Sequence, residues 1–314
     1  MSSNVEVMTA PSRDDIKLEG ISHVAVNVAD LEAARAFYCG LLGFALEADT
    51  SLPECGRHIV VATASGQRVA LCQKDGFAPL ADIGIHNGYK VSAAARRTIL
   101  ERLGREKIEV SSYREIRPAE AKDNCYVYDP CGNRLQLVVT DAPSDGQSLI
   151  QGIDHVTLQA ADVEWAETFY VSRLGLPIDC VVGWRTADYV LARAWREGKE
   201  SMAPGQMRLD KRYSTIHGTD PVPRPNMQIF VKIGDGALGV YLANKHFQMP
   251  PEQLVIGTPR VAFRMSRTAL AALAAQMESS GQPTSGLVDH PSASPVRRSI
   301  YAKDPGGNFI EFCC

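Results

Sequence analysis

Four side chains that can coordinate a metal ion stand at matched places in this sequence. His23 and His155 each follow a Gly-Ile-x tripeptide. The motif Asp-Pro-x-Gly-Asn occurs twice, and Gln136 and Glu311 each stand three residues after its Asn. Imidazole nitrogens and carboxylate or amide oxygens are common protein ligands of divalent metals. The residue types and their spacing therefore predict chemistry at a metal ion.

The two matched sets belong to an internal duplication of the chain. His155 follows His23 at an offset of 132 residues, and the Phe37-Tyr38 pair recurs at the same offset as Phe169-Tyr170. Self-similarity at a fixed period is the sequence signature of a repeated structural unit. The duplication therefore indicates the fold more strongly than any single motif does.

Each half of the duplication contains two strand-helix-strand-strand-strand patterns. The six residues that begin at Gly66 align with those that begin at Gly132, so two consecutive patterns end in the same turn and strand. We therefore predict an α+β fold in which four βαβββ units pair into two barrel-like domains.

The domain boundaries follow from composition and length. Residues 1–17 are polar and are expected to form a disordered tail. We expect residues 18–141 to form an N-terminal domain of two paired units and residues 151–314 to form a C-terminal one. The second half is longer because of an insertion at about 183–226, which would serve as a lid, as an interface or as a solvated loop.

Composition restricts the functional class. The net charge of −3 does not favour binding to nucleic acid, which is itself negatively charged. No apolar run reaches the length of a membrane span. Eight cysteines without a Cys-x-x-Cys spacing favour a reduced, cytoplasmic location. We expect a small-molecule enzyme that forms a homo-oligomer.

The repeated motifs and the four units resemble those of the vicinal oxygen chelate superfamily, which includes glyoxalases, bleomycin resistance proteins and dioxygenases. The chain is most similar to the two-domain type I extradiol ring-cleaving dioxygenases, from residue 20 to its end. This resemblance implies cleavage of a catechol-like or polyhydroxylated aromatic by Fe(II) and O2, as in aromatic hydrocarbon catabolism. It also implies an iron in the C-terminal domain that is bound by two His and one Glu. Other divalent metals, such as Mn, Zn or Ni, are alternatives to iron.

The resemblance carries over to particular residues of the C-terminal half. His155 and Glu311 would bind the metal. Tyr301, ten residues before Glu311, and His290 in Asp-His-Pro would contact the substrate or the bound oxygen. This half is therefore the leading candidate for the active site.

The second ligand histidine of the family has no counterpart in this half. Arg260 occupies its place, and a guanidinium group cannot ligate iron. Either His217 or His246 supplies the third ligand, or Arg260 pairs with Glu311 in place of the metal. In the latter case Arg260 would face the substrate.

Two alternatives remain open. A glyoxalase-like lyase or isomerase would bind its metal in the N-terminal half through His23, His86 and Gln136, with Tyr126 at the fourth equivalent place. A binding protein without a metal would hold an aromatic ligand between the domains, with Arg260 neutralising Glu311.

Overall fold

A computed structural model gives the structure of the protein and describes residues 16–52, 56–78, 85–112, 125–141, 148–160, 166–182, 228–242, 260–292 and 294–314. The predicted tail, apart from residues 16 and 17, and the whole of the predicted insertion at 183–226 lie outside these ranges. Among the described residues, no helix is both long enough and apolar enough to cross a membrane.

Four consecutive units of one strand, one helical segment and three strands make up the described chain, as predicted. The first two units have these elements: β1 (Leu18–Val28), α1 (Leu31–Arg35) with a π-helical continuation (Ala36–Leu41), β2 (Ala45–Leu52), β3 (Gly56–Ala62), β4 (Arg68–Gln73), β5 (Asn87–Val91), α2 (Ala93–Arg105), β6 (Val110–Ser112), β7 (Cys125–Tyr128) and β8 (Arg134–Val139). The last two units have these elements: β9 (Ile150–Ala160), a π-helical segment (Glu167–Arg173), β10 (Ile178–Val182), β11 (Gln228–Ile233), β12 (Gly236–Leu242), β13 (Arg260–Met265), α3 (Arg267–Ser279), β14 (Thr284–Asp289), β15 (Arg298–Lys303) and β16 (Phe309–Cys313).

The strands form two eight-stranded sheets, and each sheet takes one unit from each half of the chain. The terminal sheet combines the first and fourth units in the order β14-β15-β16-β13-β1-β4-β3-β2. The central sheet combines the third and second units in the order β10-β11-β12-β9-β5-β8-β7-β6. The prediction that 18–141 and 151–314 each pair their own two units is therefore wrong. Within each sheet the two units meet at their first strands, since β1 pairs with β13 and β9 pairs with β5.

Each first strand has an apolar face and a polar face. In β1, Val24, Val26 and Val28 belong to the hydrophobic core. His23 and Asn27 are also buried but lie on the opposite face, because successive strand residues alternate between faces. The same alternation in β9 places His155 opposite Val156. The polar faces therefore hold the candidate site residues.

The helices cover the apolar faces. A serine begins both α2 and α3, because the side chains of Ser92 and Ser266 each accept a hydrogen bond from a first-turn amide. Ala95, Ile99 and Leu103 recur at helical spacing on the buried side of α2.

The repeated Asp-Pro-x-Gly-Asn turns connect the two sheets. Tyr38 of the first unit donates a hydrogen bond to Asp129 of the second (3.3 Å), and the Asn133 amide donates to the carbonyl of Asn27 (2.9 Å). Asp129 also accepts hydrogen bonds within its own turn, including one from the amide of Cys131. Desolvation by burial raises the pKa of the Asp129 carboxyl above its ordinary value, and these donors oppose that shift.

The second copy of the turn repeats these contacts between the third and fourth units. Tyr170 donates to Asp304 (2.8 Å), and the Asn308 amide donates to the carbonyl of Gln159 (2.6 Å). Burial again raises the pKa of Asp304. The repeated Asp-Pro-x-Gly-Asn motif therefore forms hydrogen bonds that hold the two sheets together at two places.

Candidate functional site

Three of the predicted ligand residues meet on the polar face of the central sheet. His86 Nε2 lies 2.9 Å from His155 Nε2 and 3.0 Å from Gln136 Oε1. The strands bring them together because Gly88 of β5 pairs with Gln136 of β8 on one side and with His155 of β9 on the other. We refer to His86, Gln136 and His155 as the central cluster.

The backbone around the central cluster makes room for it. A Cβ atom at Gly88 would overlap the imidazole ring of His155. The hydroxyl of Thr157 accepts a hydrogen bond from the amide of His86 (2.6 Å) and donates one to its carbonyl (2.8 Å). Thr157 therefore fixes the backbone of His86, Gly88 leaves room for the ring of His155, and all three members of the cluster are buried.

Asp154 sets the orientation and the tautomer of His155. Its carboxylate Oδ2 lies 2.7 Å from Nδ1 of His155. A carboxylate can only accept, so Nδ1 carries the proton, and Nε2 presents its lone pair to the cluster. Metal-binding histidines commonly have such a partner on the second nitrogen.

The central cluster fits a divalent metal ion. With bonds of about 2.1 Å, adjacent ligand atoms at right angles around an ion are about 3 Å apart. The distances from Nε2 of His86 to Oε1 of Gln136 and to Nε2 of His155 have this length. Among the described residues, no three His, Cys, Asp or Glu side chains are grouped to hold a metal. The third donor of the central cluster is an amide oxygen, so these three side chains could hold a dication without neutralising any of its charge.

Aromatic rings surround the two imidazoles. The ring of His86 lies 5.2 Å from that of Tyr126 and 6.0 Å from that of Tyr241, centroid to centroid. The ring of His155 lies 5.7 Å from that of Phe230. All three contacts are edge-to-face, so the walls beside the cluster are flat and largely apolar.

The terminal sheet has a cluster at the corresponding register, which we call the terminal cluster: His23, Glu311, Ser299, His290 and Tyr301. Nε2 of His23 lies 3.2 Å from Oε2 of Glu311, and the Ser299 hydroxyl donates to Oε1 at 2.6 Å. Glu311 has only 1% of its surface exposed. Burial of a carboxylate requires partners of this kind.

The terminal cluster extends from Glu311 to a half-buried histidine. Nε2 of His290 lies 2.8 Å from the Ser299 hydroxyl and 3.5 Å from the hydroxyl of Tyr301. The Ser299 hydroxyl donates its only proton to Glu311. The Nε2–H of His290 must therefore donate to the Ser299 oxygen. Sequence reasoning did not identify Ser299. Its register position opposite Cys313, two residues from Glu311 on the neighbouring strand, is visible only once the strands are paired.

The structure separates the ligand set that the sequence analysis favoured. His155 lies in the central sheet, and Glu311 lies in the terminal sheet. The alternative set is divided in the same way, because His23 meets Glu311, while His86 and Gln136 meet His155. Both sets therefore combined residues from different sheets.

Other predicted residues are only partly described. His290 and Tyr301 do lie near each other and near Glu311, as expected from the resemblance. Arg260 pairs through its backbone with Ala25, but its side chain lies outside the described part of the structure. The same is true of the whole of His217 and His246, so their suggested roles stay predictions.

Comparisons with known proteins agree with the fold. The family model described as Glyoxalase/Bleomycin resistance protein/Dioxygenase superfamily matches residues 20–137. No curated protein matches the chain. A crystal structure of a candidate dioxygenase from Bacillus subtilis subsp. subtilis str. 168 superposes with a TM-score of 0.63 at 16% identity, covering 95% of this chain and 86% of that one. Glyoxalase I from Zea mays superposes with a TM-score of 0.55 at 14% identity, covering 94% and 92%. Identities this low show a shared fold.

Proposed function

We propose that this chain, whose residues 20–137 match the glyoxalase/bleomycin resistance protein/dioxygenase family model, is a metal-dependent enzyme with its active site at the central cluster. His86, His155 and Gln136 would hold one divalent ion. The substrate would be a small molecule that binds the ion through two adjacent oxygen atoms. The reaction we favour is extradiol cleavage of a catechol-type aromatic ring with Fe(II) and O2.

The mutual approach of three ligand atoms carries this proposal. One imidazole nitrogen, Nε2 of His155, and one amide oxygen, Oε1 of Gln136, lie within 3.0 Å of Nε2 of His86. Asp154 accepts the hydrogen bond from Nδ1–H of His155, so Nε2 of the neutral imidazole has a free lone pair for a metal. Three donors on one side of an ion leave adjacent positions for substrate and a second molecule.

The residues of this chain would hold and orient the substrate. When bound, an iron held by His86, His155 and Gln136 would supply redox chemistry and positive charge. Tyr126, Tyr241 and Phe230 provide flat walls that suit an aromatic ring. The same walls exclude water, which strengthens every charge interaction within the site.

Metal analysis of anaerobically purified protein tests the assignment. We expect about one iron per chain in the wild type, its loss in His155→Ala, and its retention in His23→Ala, the matched variant of the terminal sheet. Ring cleavage of catechol, followed by its yellow product, should disappear together with the iron. Iron retained in His155→Ala but lost in His23→Ala would place the site in the terminal sheet instead.

A neutral third ligand favours one second candidate, a glyoxalase-like isomerase or lyase. Dioxygen chemistry at non-haem iron typically uses two His and one carboxylate, whereas Gln136 leaves the full charge on the ion and makes it a stronger Lewis acid for a carbonyl oxygen. Nickel- or zinc-loaded protein that isomerises the hemithioacetal of methylglyoxal and glutathione, with no turnover of catechol by the iron form, would establish this candidate.

A further inference from the structure

Arg134 lies on the same face of the central sheet as the ligand residue Gln136. The two residues are separated by one position on β8, so their side chains leave the strand on the same side. The Arg134 guanidinium lies over the ring of Tyr126, with Cζ 4.1 Å from its centroid. Tyr126 in turn contacts the imidazole of His86. A fixed positive charge is thus stacked against the wall of the central cluster.

This charge has no partner among the described residues. Nε of Arg134 is buried and has no hydrogen-bond acceptor there, and no carboxylate of the described chain forms an ion pair with it. A buried donor left unsatisfied costs free energy that an arriving acceptor would recover. The cation–π contact with Tyr126 holds the guanidinium plane but supplies no acceptor for its N–H groups.

The terminal sheet indicates that packing alone does not require an arginine here. Phe309 occupies the corresponding place, directly after the Asn of the second turn. It stacks on Tyr301 with the ring centroids 5.8 Å apart and the planes 4° from parallel. An apolar ring therefore covers the tyrosine of the terminal cluster, whereas a cation covers the tyrosine of the central cluster. The difference between the two positions is charge.

We propose that Arg134 binds an anionic substituent, most simply a carboxylate, on the substrate of the central cluster. This inference rests on the proposed function, because it assigns the substrate class of the same site. The ligand set of two imidazoles and one amide contributes no negative charge, so a dication and Arg134 together favour a substrate with several negative oxygens. A planar guanidinium offers a carboxylate two parallel hydrogen bonds.

Equilibrium binding to the metal-free and zinc-loaded proteins tests the proposal without turnover, since zinc is redox-inert. The probes are protocatechuate, which carries vicinal hydroxyls and a carboxylate, catechol, which lacks the carboxylate, and benzoate, which lacks the hydroxyls. In the wild type protocatechuate should bind most tightly. Arg134→Phe, which copies the terminal sheet, should weaken protocatechuate and benzoate about ten- to hundred-fold and leave catechol unchanged. Arg134→Lys should restore part of the affinity.

The outcomes separate this inference from the proposed function. If Arg134→Phe weakens catechol as much as protocatechuate, or weakens neither, Arg134 is a packing residue and the inference is wrong. If zinc changes none of the affinities while the carboxylates still depend on Arg134, the anion site stands and the metal assignment fails. A circular dichroism spectrum matching that of the wild type ensures that the variant is folded.

Discussion

The terminal and central sheets carry the same arrangement of positions with different residues. In the terminal sheet His23 of β1 lies near Glu311 of β16, and in the central sheet His155 of β9 and Gln136 of β8 both lie near His86. In the terminal sheet the Glu311 carboxylate lies beside His23 and accepts a hydrogen bond from Ser299. In the central sheet, the side chains that meet are two imidazoles and one amide, and none of them is a carboxylate.

Two smaller differences between the sheets also concern the surroundings of the histidines. Gly88 of the central sheet leaves space for an imidazole where the terminal sheet has Ala262. The residue before the histidine is Asp154 in one sheet and Ser22 in the other, and their contacts with Nδ1 measure 2.7 Å and 3.3 Å. We propose that the two sheets, which share one framework, differ in role, with the central one arranged for a ligand and the terminal one for stability.

The largest expected effect is on stability, at Glu311. Glu311→Ala leaves His23 and Ser299 without their buried partner and should lower the free energy of unfolding by about 3–5 kcal/mol. Gln136→Ala, its counterpart, removes a neutral amide and should cost about 1 kcal/mol. Urea denaturation measures both. A smaller loss for Glu311→Ala than for Gln136→Ala would contradict the division of roles, and so would loss of metal in folded Glu311→Ala.

A methyl group at Gly88 should have the next largest effect. Gly88→Ala places a Cβ where the ring of His155 lies, so the imidazole must turn away from His86. We expect bound metal to be lost and the free energy of unfolding to fall by about 1–3 kcal/mol from overpacking. Ala262→Gly is the matched change in the terminal sheet and should leave metal content unchanged. Full metal content in Gly88→Ala would show that His155 is not a ligand.

The sequence predicts the units but not their pairing. The four βαβββ patterns are local, since turns, capping serines and apolar alternation appear within each unit. Which first strands join is a non-local choice. His23 and His155 follow nearly identical segments, so nothing in the pattern distinguishes β1 paired with β13 from β1 paired with β5. The sequence indicates residue types that can ligate a metal, but it groups His155 with Glu311, because both lie in the same half of the chain.

Asp154 should affect metal affinity without contacting the metal. Asp154→Ala removes the carboxylate that fixes the tautomer of His155 and should weaken metal binding about 10- to 100-fold, as measured by competition with a chelator. Asp154→Asn keeps an acceptor for Nδ1–H and should recover part of the affinity. Ser22→Ala makes the matched change beside His23 and should have no effect. Equal effects of Asp154→Ala and Ser22→Ala would remove the assigned positioning role.

The smallest effect concerns the hydrogen bonds that Tyr38 and Tyr170 donate to the aspartates of the two repeated turns, which we call the clamps. Tyr170→Phe and Tyr38→Phe each remove one hydrogen bond to a buried aspartate. The free energy of unfolding should fall by about 2 kcal/mol for Tyr170→Phe and about 1 kcal/mol for Tyr38→Phe, because the first contact is shorter, 2.8 Å against 3.3 Å. Denaturation measures the difference, and metal content should not change in either variant. If Tyr38→Phe released the metal, the clamp would also position the central cluster, and the separation of stability from ligand binding between the two sheets would no longer hold.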